Sequence, residues 1–234
     1  MGETMNKLKM LLLGSTLLLG ATNADAEISG NVSLGSDYVY RGISQTNENP
    51  TIQGGFDFES ESGFYAGTWA SNVSFDGSVE IDVYAGFGGS FSEDFGYDIG
   101  VLAYIYPDDG QGGNPDSSFN EIYGSLSFKD FTLGLAYSPD FFFETGAATY
   151  VYVDYELGLP NDFGLGFHIG SQQIDENTQF GTVDYLEYSI GLSKSIAEID
   201  VSLTWYDTDL SKTECFGGSE ICESRFVLAI GKSL

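Results

Sequence analysis

From Glu27 onward, apolar residues recur at every second position in segments of about eight to thirteen residues, a period that belongs to strands and not to helices. The clearest segment sets Val79, Ile81, Val83, Ala85, Phe87 and Phe91 against Glu80, Asp82, Tyr84 and Gly86, so that one face prefers hydrocarbon and the other water. The same alternation marks segments running from Ile28 to Tyr40, Ile52 to Phe58, Phe95 to Ile105, Ile122 to Phe128 and Phe131 to Tyr137. It continues from Val151 to Leu157, Phe163 to Ile169, Leu186 to Leu192, Ile199 to Trp205 and Phe226 to Ile230. The segment Gly63 to Phe75 puts Tyr65, Trp69, Val73 and Phe75 on one side and the small Ala66, Thr68 and Ala70 on the other, with Phe64 out of pattern. Twelve strands are predicted, each close to the roughly 9 to 11 residues that a tilted membrane strand requires.

The connections sort by length. Odd ones include Arg41 to Pro50, Pro107 to Ser118, Pro139 to Ala147, Ser171 to Gly181 and Asp207 to Glu223, with only Ser74 to Ser78 short. Even ones are tight: Glu61-Ser62, Gly89 to Asp94, Lys129-Asp130, Pro160 to Asp162 and Ser193 to Ile196. Long loops at one end and turns at the other are expected of an outer-membrane barrel with both termini in the periplasm, whereas a secreted sandwich has no reason to sort them. The alternation alone also suits a soluble antiparallel sheet. Aromatic pairs at strand ends, namely Tyr38 and Tyr40, Phe64 and Tyr65, Tyr104 and Tyr106, Trp205 and Tyr206, point instead to interfacial belts. The expected fold is therefore all-β, a transmembrane antiparallel up-and-down β-barrel of about twelve strands, occupying residues 27–234 as one domain.

The N-terminal segment adds a compartment. Lys7 and Lys9 precede an apolar run from Met10 to Leu19 and then Ala24-Asp25-Ala26, the order of a secretory signal peptide cleaved after residue 26. No stretch approaches the 18 consecutive apolar residues of a spanning helix. Aromatics at 15% and apolar residues at 42% argue against disorder. The net charge of -27 repels nucleic acid and favours cations or cationic partners.

If the apolar face meets lipid, the other face lines the barrel. It carries Asp57, Glu59, Glu80, Asp82, Asp98, Glu121, Asp154, Glu156, Glu187 and Asp200, with Arg41 and Arg225 near its ends. Such a lining predicts a cation-favouring pore, or a filled barrel whose acids pair internally. Chemistry finds little support. His168 is the only histidine and alternates with Leu165, Phe167 and Ile169, so it is expected inside the lumen and not beside a lipid-facing serine. No metal, cofactor or catalytic residue is expected. Asp108-Asp109-Gly110 and Asp207, Asp209 lack the spacing of a calcium loop. Cys215 and Cys222 are the only cysteines and are expected to form a disulfide within the last long loop.

Three stretches carry a resemblance: Ser36-Asp37-Tyr38-Val39-Tyr40-Arg41-Gly42-Ile43-Ser44-Gln45, Gly63-Phe64-Tyr65-Ala66-Gly67-Thr68-Trp69-Ala70-Ser71-Asn72, and Glu80-Ile81-Asp82-Val83-Tyr84-Ala85-Gly86. They resemble the TorF-type porin family of Gram-negative bacteria, formerly carried as conserved hypothetical outer-membrane proteins. With Asn120-Glu121-Ile122-Tyr123 and the last strands, the resemblance spans the mature chain. It implies an outer-membrane barrel with a porin role and brings no substrate or catalytic residue. Such barrels usually end in Phe or Trp; this chain ends in Leu234, with Lys232 where an apolar residue is usual.

The reading is thus a porin-like channel for passive diffusion of small solutes. Its expected partners are outer-membrane lipid, lipopolysaccharide and the barrel assembly machinery. The alternatives are a closed structural or interaction barrel whose loops bind a partner and, further off, a membrane-embedded hydrolase that would need His168 near a serine.

Overall fold

A computed structural model describes residues 27–75, 78–110 and 115–234. The signal-peptide expectation falls on residues 1–26, outside the described residues. Twelve strands close into an antiparallel barrel: β1 (Glu27–Gly35), β4 (Thr51–Glu59), β5 (Phe64–Asn72), β6 (Val79–Ser90), β7 (Phe95–Ile105) and β8 (Phe119–Phe128), followed by β9 (Phe131–Ser138), β10 (Ala148–Leu159), β11 (Phe163–Ile174), β12 (Tyr185–Ile196), β13 (Ile199–Thr208) and β14 (Arg225–Ser233). Each pairs with its neighbour in sequence, and β1 meets β14 in the register Asn31↔Ser233 to Gly35↔Ala229, so the sheet has no free edge. Among the described residues, no helix is long and apolar enough to cross a membrane.

The turns at one end are as short as the pattern predicts. Asn161 and Asp162, and Ala197 and Glu198, take the positive φ that the favoured two-residue hairpin turn demands. The last of these turns lies at Ala197 and Glu198, beyond the predicted Ser193 to Ile196, because the pairing of β12 with β13 runs on to Ile196↔Ile199. At the other end, the first long connection spans 36–50 and holds an extra hairpin, β2 (Val39–Tyr40) and β3 (Ile43–Ser44). A short helix, α1 (Asn177–Phe180), lies in the connection between β11 and β12.

Strand parity separates the faces. Phe56, Leu133 and Leu228 are more than half exposed on the outer wall, which is stable only against hydrocarbon. Outward aromatic residues gather at the tight-turn end, where Phe64 packs on Phe87, Phe95 on Phe128 and Phe131 on Tyr155. A sparser group, Tyr188 on Trp205 with Phe226 opposite Trp205 in the ladder, stands nearer the loops.

The predicted belt needs correction. Tyr38, Tyr65, Tyr104 and Tyr106 are buried inside the barrel, and only Phe64 and Trp205 of the aromatic pairs take the outward parity. Neighbours along a strand point to opposite faces, so an adjacent aromatic pair cannot both meet lipid. β5 shows this most fully. Its large residues Tyr65 and Trp69 share the inward parity of buried Ser71, and its small ones, Ala66, Thr68 and Ala70, face outward. Two inward glycines make room for tyrosines: a Cβ at Gly134 would lie 2.1 Å from the Tyr152 ring, and one at Gly170 would lie 2.3 Å from the Tyr150 hydroxyl.

Candidate functional site

The ten acidic residues assigned to the lumen all take inward parity, but they divide into two groups. A cavity of about 740 Å³ has its mouth among the tight turns, at Ser92, Glu93, Asp94, Lys129 and Asp130. Glu59, Asp98, Glu121, Asp154, Glu156 and Glu187 are on its wall, and Arg41 closes its inner end. Asp57, Glu80, Asp82, Asp200 and Arg225 are not on that wall. The Tyr84 hydroxyl donates to Asp57, Ser195 to Asp200, and Tyr38 to Glu80 Oε1 at 2.6 Å, with Tyr106 on the other Glu80 oxygen. Asp82 is buried, and its Oδ1 has no donor among the described residues.

The inner end is built by the first loop. A two-residue turn between β2 and β3 puts Arg41 (φ 45°) and Gly42 (φ 80°) at the tip of a hairpin that enters the barrel. Gly42 is pressed to the wall at β12 and β13: a Cβ there would lie 2.6 Å from Thr208 Cγ2 and 2.7 Å from Glu187 Cβ. Arg41 Nη2 donates to both Glu121 oxygens at 2.8 and 2.9 Å, and Nη1 donates to Gln172 Oε1 at 2.8 Å. The guanidinium also lies 4.7 Å from the Tyr40 ring centroid and 4.2 Å from that of Tyr150. The Tyr185 hydroxyl donates to the Arg41 carbonyl at 3.1 Å.

The base of the same loop is held by the other lumen arginine. Arg225 Nη1 reaches Asp37 Oδ2 at 3.2 Å, and Asp37 Oδ1 also accepts from the Ser44 and Thr46 hydroxyls. Above the hairpin, Tyr38, Tyr104, Tyr106 and Phe119 join Phe141 and Phe180 from neighbouring loops in an apolar cluster at the loop end. Cys215 and Cys222 are joined by a disulfide and pack with Ile43 and Tyr185, and the Ser44 amide donates to the Ile221 carbonyl at 2.9 Å. The last loop therefore lies over the first.

His168 projects into the lumen, where Nδ1 lies 2.6 Å from Asp154 Oδ1 and Nε2 lies 2.6 Å from Glu187 Oε1. Both ring nitrogens are engaged, so neither is free to activate Ser189, which stands opposite in the ladder. No cluster of three metal-ligating side chains occurs among the described residues.

The sequence reading missed Tyr40, Tyr104, Tyr150 and Gln172 as parts of this site. A signal existed for Tyr104 and Tyr150, which alternate with outward Ile105 and Val151.

Residues 20–234 match the family described as "Bacterial protein of unknown function (Gcw_chp)". The chain belongs to the Gcw_chp family. No curated protein matches this Gcw_chp sequence. Solved structures match its fold. The KdgM porin superposes with a TM-score of 0.53 at 10% identity, covering 89% of this chain and 99% of the porin. The KdgM porin in complex with disordered oligogalacturonate gives 0.56 at 10% identity, with the same 89% and 99% coverage. The NanC porin gives 0.51 at 14% identity, covering 86% of this chain and 97% of that one. The Gcw_chp barrel thus has the fold of an outer-membrane porin along nearly its whole described length.

Proposed function

We propose that this barrel is an outer-membrane channel for small solutes that favours cations, with its termini in the periplasm and its long loops facing outward. One observation carries the reading: among the described residues, the cavity wall holds nine carboxylates against Arg41, Lys129 and His168, with Arg41 already matched by Glu121 and His168 set between Asp154 and Glu187. A narrow passage of that sign concentrates cations and excludes anions. A polyanion such as the oligogalacturonate in the KdgM complex would meet repulsion in this lumen. The porin role implied by resemblance to the TorF-type family agrees with this, and outer-membrane lipid, lipopolysaccharide and the assembly machinery are the partners such a channel would have. Lys232 lies 3.1 Å from Glu198 of the neighbouring turn, which offsets a charge near the C-terminal end of the assembly strand.

A second reading has its own support. The hairpin and the apolar cluster fill the loop end, as a closed structural barrel would require. Planar-bilayer recordings separate the two. Conductance steps from wild type, larger in Arg41→Ala, are expected of a channel narrowed by the hairpin. Silence from both folded proteins would leave the closed barrel standing.

A further inference from the structure

The geometry points to the seat of Arg41 as a binding site for the guanidinium or ammonium head group of a permeating organic cation, with Arg41 its tethered occupant in the resting barrel. This rests on the channel reading and names the solute class that the channel would take.

Three groups of the barrel wall converge there, a carboxylate from β8 that accepts through both oxygens from Nη2, an amide oxygen from β11 and an aromatic face from β10, and the hairpin adds its own Tyr40 ring. A buried carboxylate and two aromatic rings around one guanidinium are recognition chemistry for an organic cation. The Arg41 and Glu121 side chains are only 9% and 3% exposed, so little solvent weakens the attraction. The seat is also reachable, since Tyr40, Glu121 and Tyr150 all face the cavity that opens among the tight turns. On the same wall, Asp98 Oδ2 is shielded and has no donor among the described residues, leaving a second acceptor for the far end of a longer cation.

A two-residue turn with positive φ at both positions favours Asn, Asp or Gly first, and a side chain such as arginine pays roughly 1 to 2 kcal/mol to stand there. The polar seat must return more than that for the hairpin to dock. A free cation competes against a tethered one whose effective concentration is on the order of millimolar, so binding is weak until the tether is cut.

Methylguanidinium and agmatine are the probes, with urea as the neutral isostere. In Trp205→Phe protein, the remaining Trp69 lies 5.4 Å from Tyr38 and reports hairpin docking by fluorescence. Arg41→Ala in micelles is expected to bind methylguanidinium saturably, at least tenfold more weakly once Glu121→Gln is added, and urea not at all. Equal affinity with and without Glu121, or no binding by folded Arg41→Ala, would overturn the proposal. Should Arg41→Ala fail to fold, the Trp205→Phe protein with its arginine intact still tests it: agmatine raised well above the roughly millimolar effective concentration of the tether must shift Trp69 emission saturably, and a flat titration over that range contradicts the site. Binding without bilayer conductance would sink the channel reading and leave the site; conductance without binding would do the reverse.

Discussion

Replacing Glu121 by glutamine keeps the shape of the side chain and one acceptor oxygen, but removes the charge that Arg41 faces at 2.8 and 2.9 Å. Because both side chains are nearly excluded from solvent, the guanidinium cannot recover its hydration while docked. Deleting one partner of a buried pair costs about 3 to 5 kcal/mol; glutamine retains part of the contact, so about 3 kcal/mol is the expected cost. The strands do not depend on this pair, and the loss falls on the docking of the hairpin, making its released state roughly 100-fold more populated. Trypsin reads that population, since cleavage after Arg41 requires release and the described chain offers few other sites. Heat-modifiable migration on gels checks that the barrel stays folded. Cleavage after Arg41 at the wild-type rate in folded Glu121→Gln would refute the latch.

Three further outcomes are expected. Reducing the disulfide, or Cys215→Ser with Cys222→Ser, releases a short loop worth about 2.5 kcal/mol of chain entropy, so cleavage after Lys212 and Arg41 should rise while the barrel stays folded; a barrel that no longer folds would show a larger role for the bridge. Leu133→Arg on the lipid face should cost about 2 to 4 kcal/mol in urea titrations of folding into vesicles, and Thr132→Arg on the cavity wall much less; equal costs would reverse the assigned faces. In the 106–118 loop, burial opposes ionisation of Asp109, but hydrogen bonds from Ser118 and Ser117 outweigh it and hold the carboxyl below its usual range. That depressed value means the contacts of Asp109 with Ser117 and Ser118 are complete above about pH 4 and lost as pH falls through the folded value, so the protection of the Ser117 and Ser118 amides, taken relative to intrinsic exchange at each pH, should fall in acid and lose that pH dependence in Asp109→Asn.

The barrel was legible because lipid on one side and water on the other impose a strict period of two. β6 shows it most clearly, with Val79, Ile81 and Val83 facing out and Glu80 and Asp82 facing in. Loop sorting was legible for a similar reason, since consecutive antiparallel strands need only a turn between them. The hairpin of residues 39–44 was not. Four paired residues around Arg41-Gly42 leave too short a pattern to distinguish from loop, and what fixes them is contact with Glu121, Gln172 and Glu80 far along the chain. Membership of the acidic face was readable from parity, but depth was not. Glu80 and Glu121 have the same parity, yet Tyr38 and Tyr106 sequester one while the other ends the cavity.

The loop-end closure gives the carboxylate wall its consequence. Glu156, Asp154 and Asp98 line the cavity between its mouth and the hairpin, so on the proposed channel reading a solute entering among the turns would meet them first, and passage beyond would require that the tip of the first loop move. On that reading selectivity and opening would reside in different parts of the same lumen, the first in strands and the second in a loop. The most direct test is the reversal potential of Arg41→Ala channels in a potassium chloride gradient. The account predicts a displacement toward the potassium equilibrium potential that shrinks when Asp154 and Glu156 are neutralised. A displacement toward the chloride potential, or one indifferent to those two residues, would contradict it.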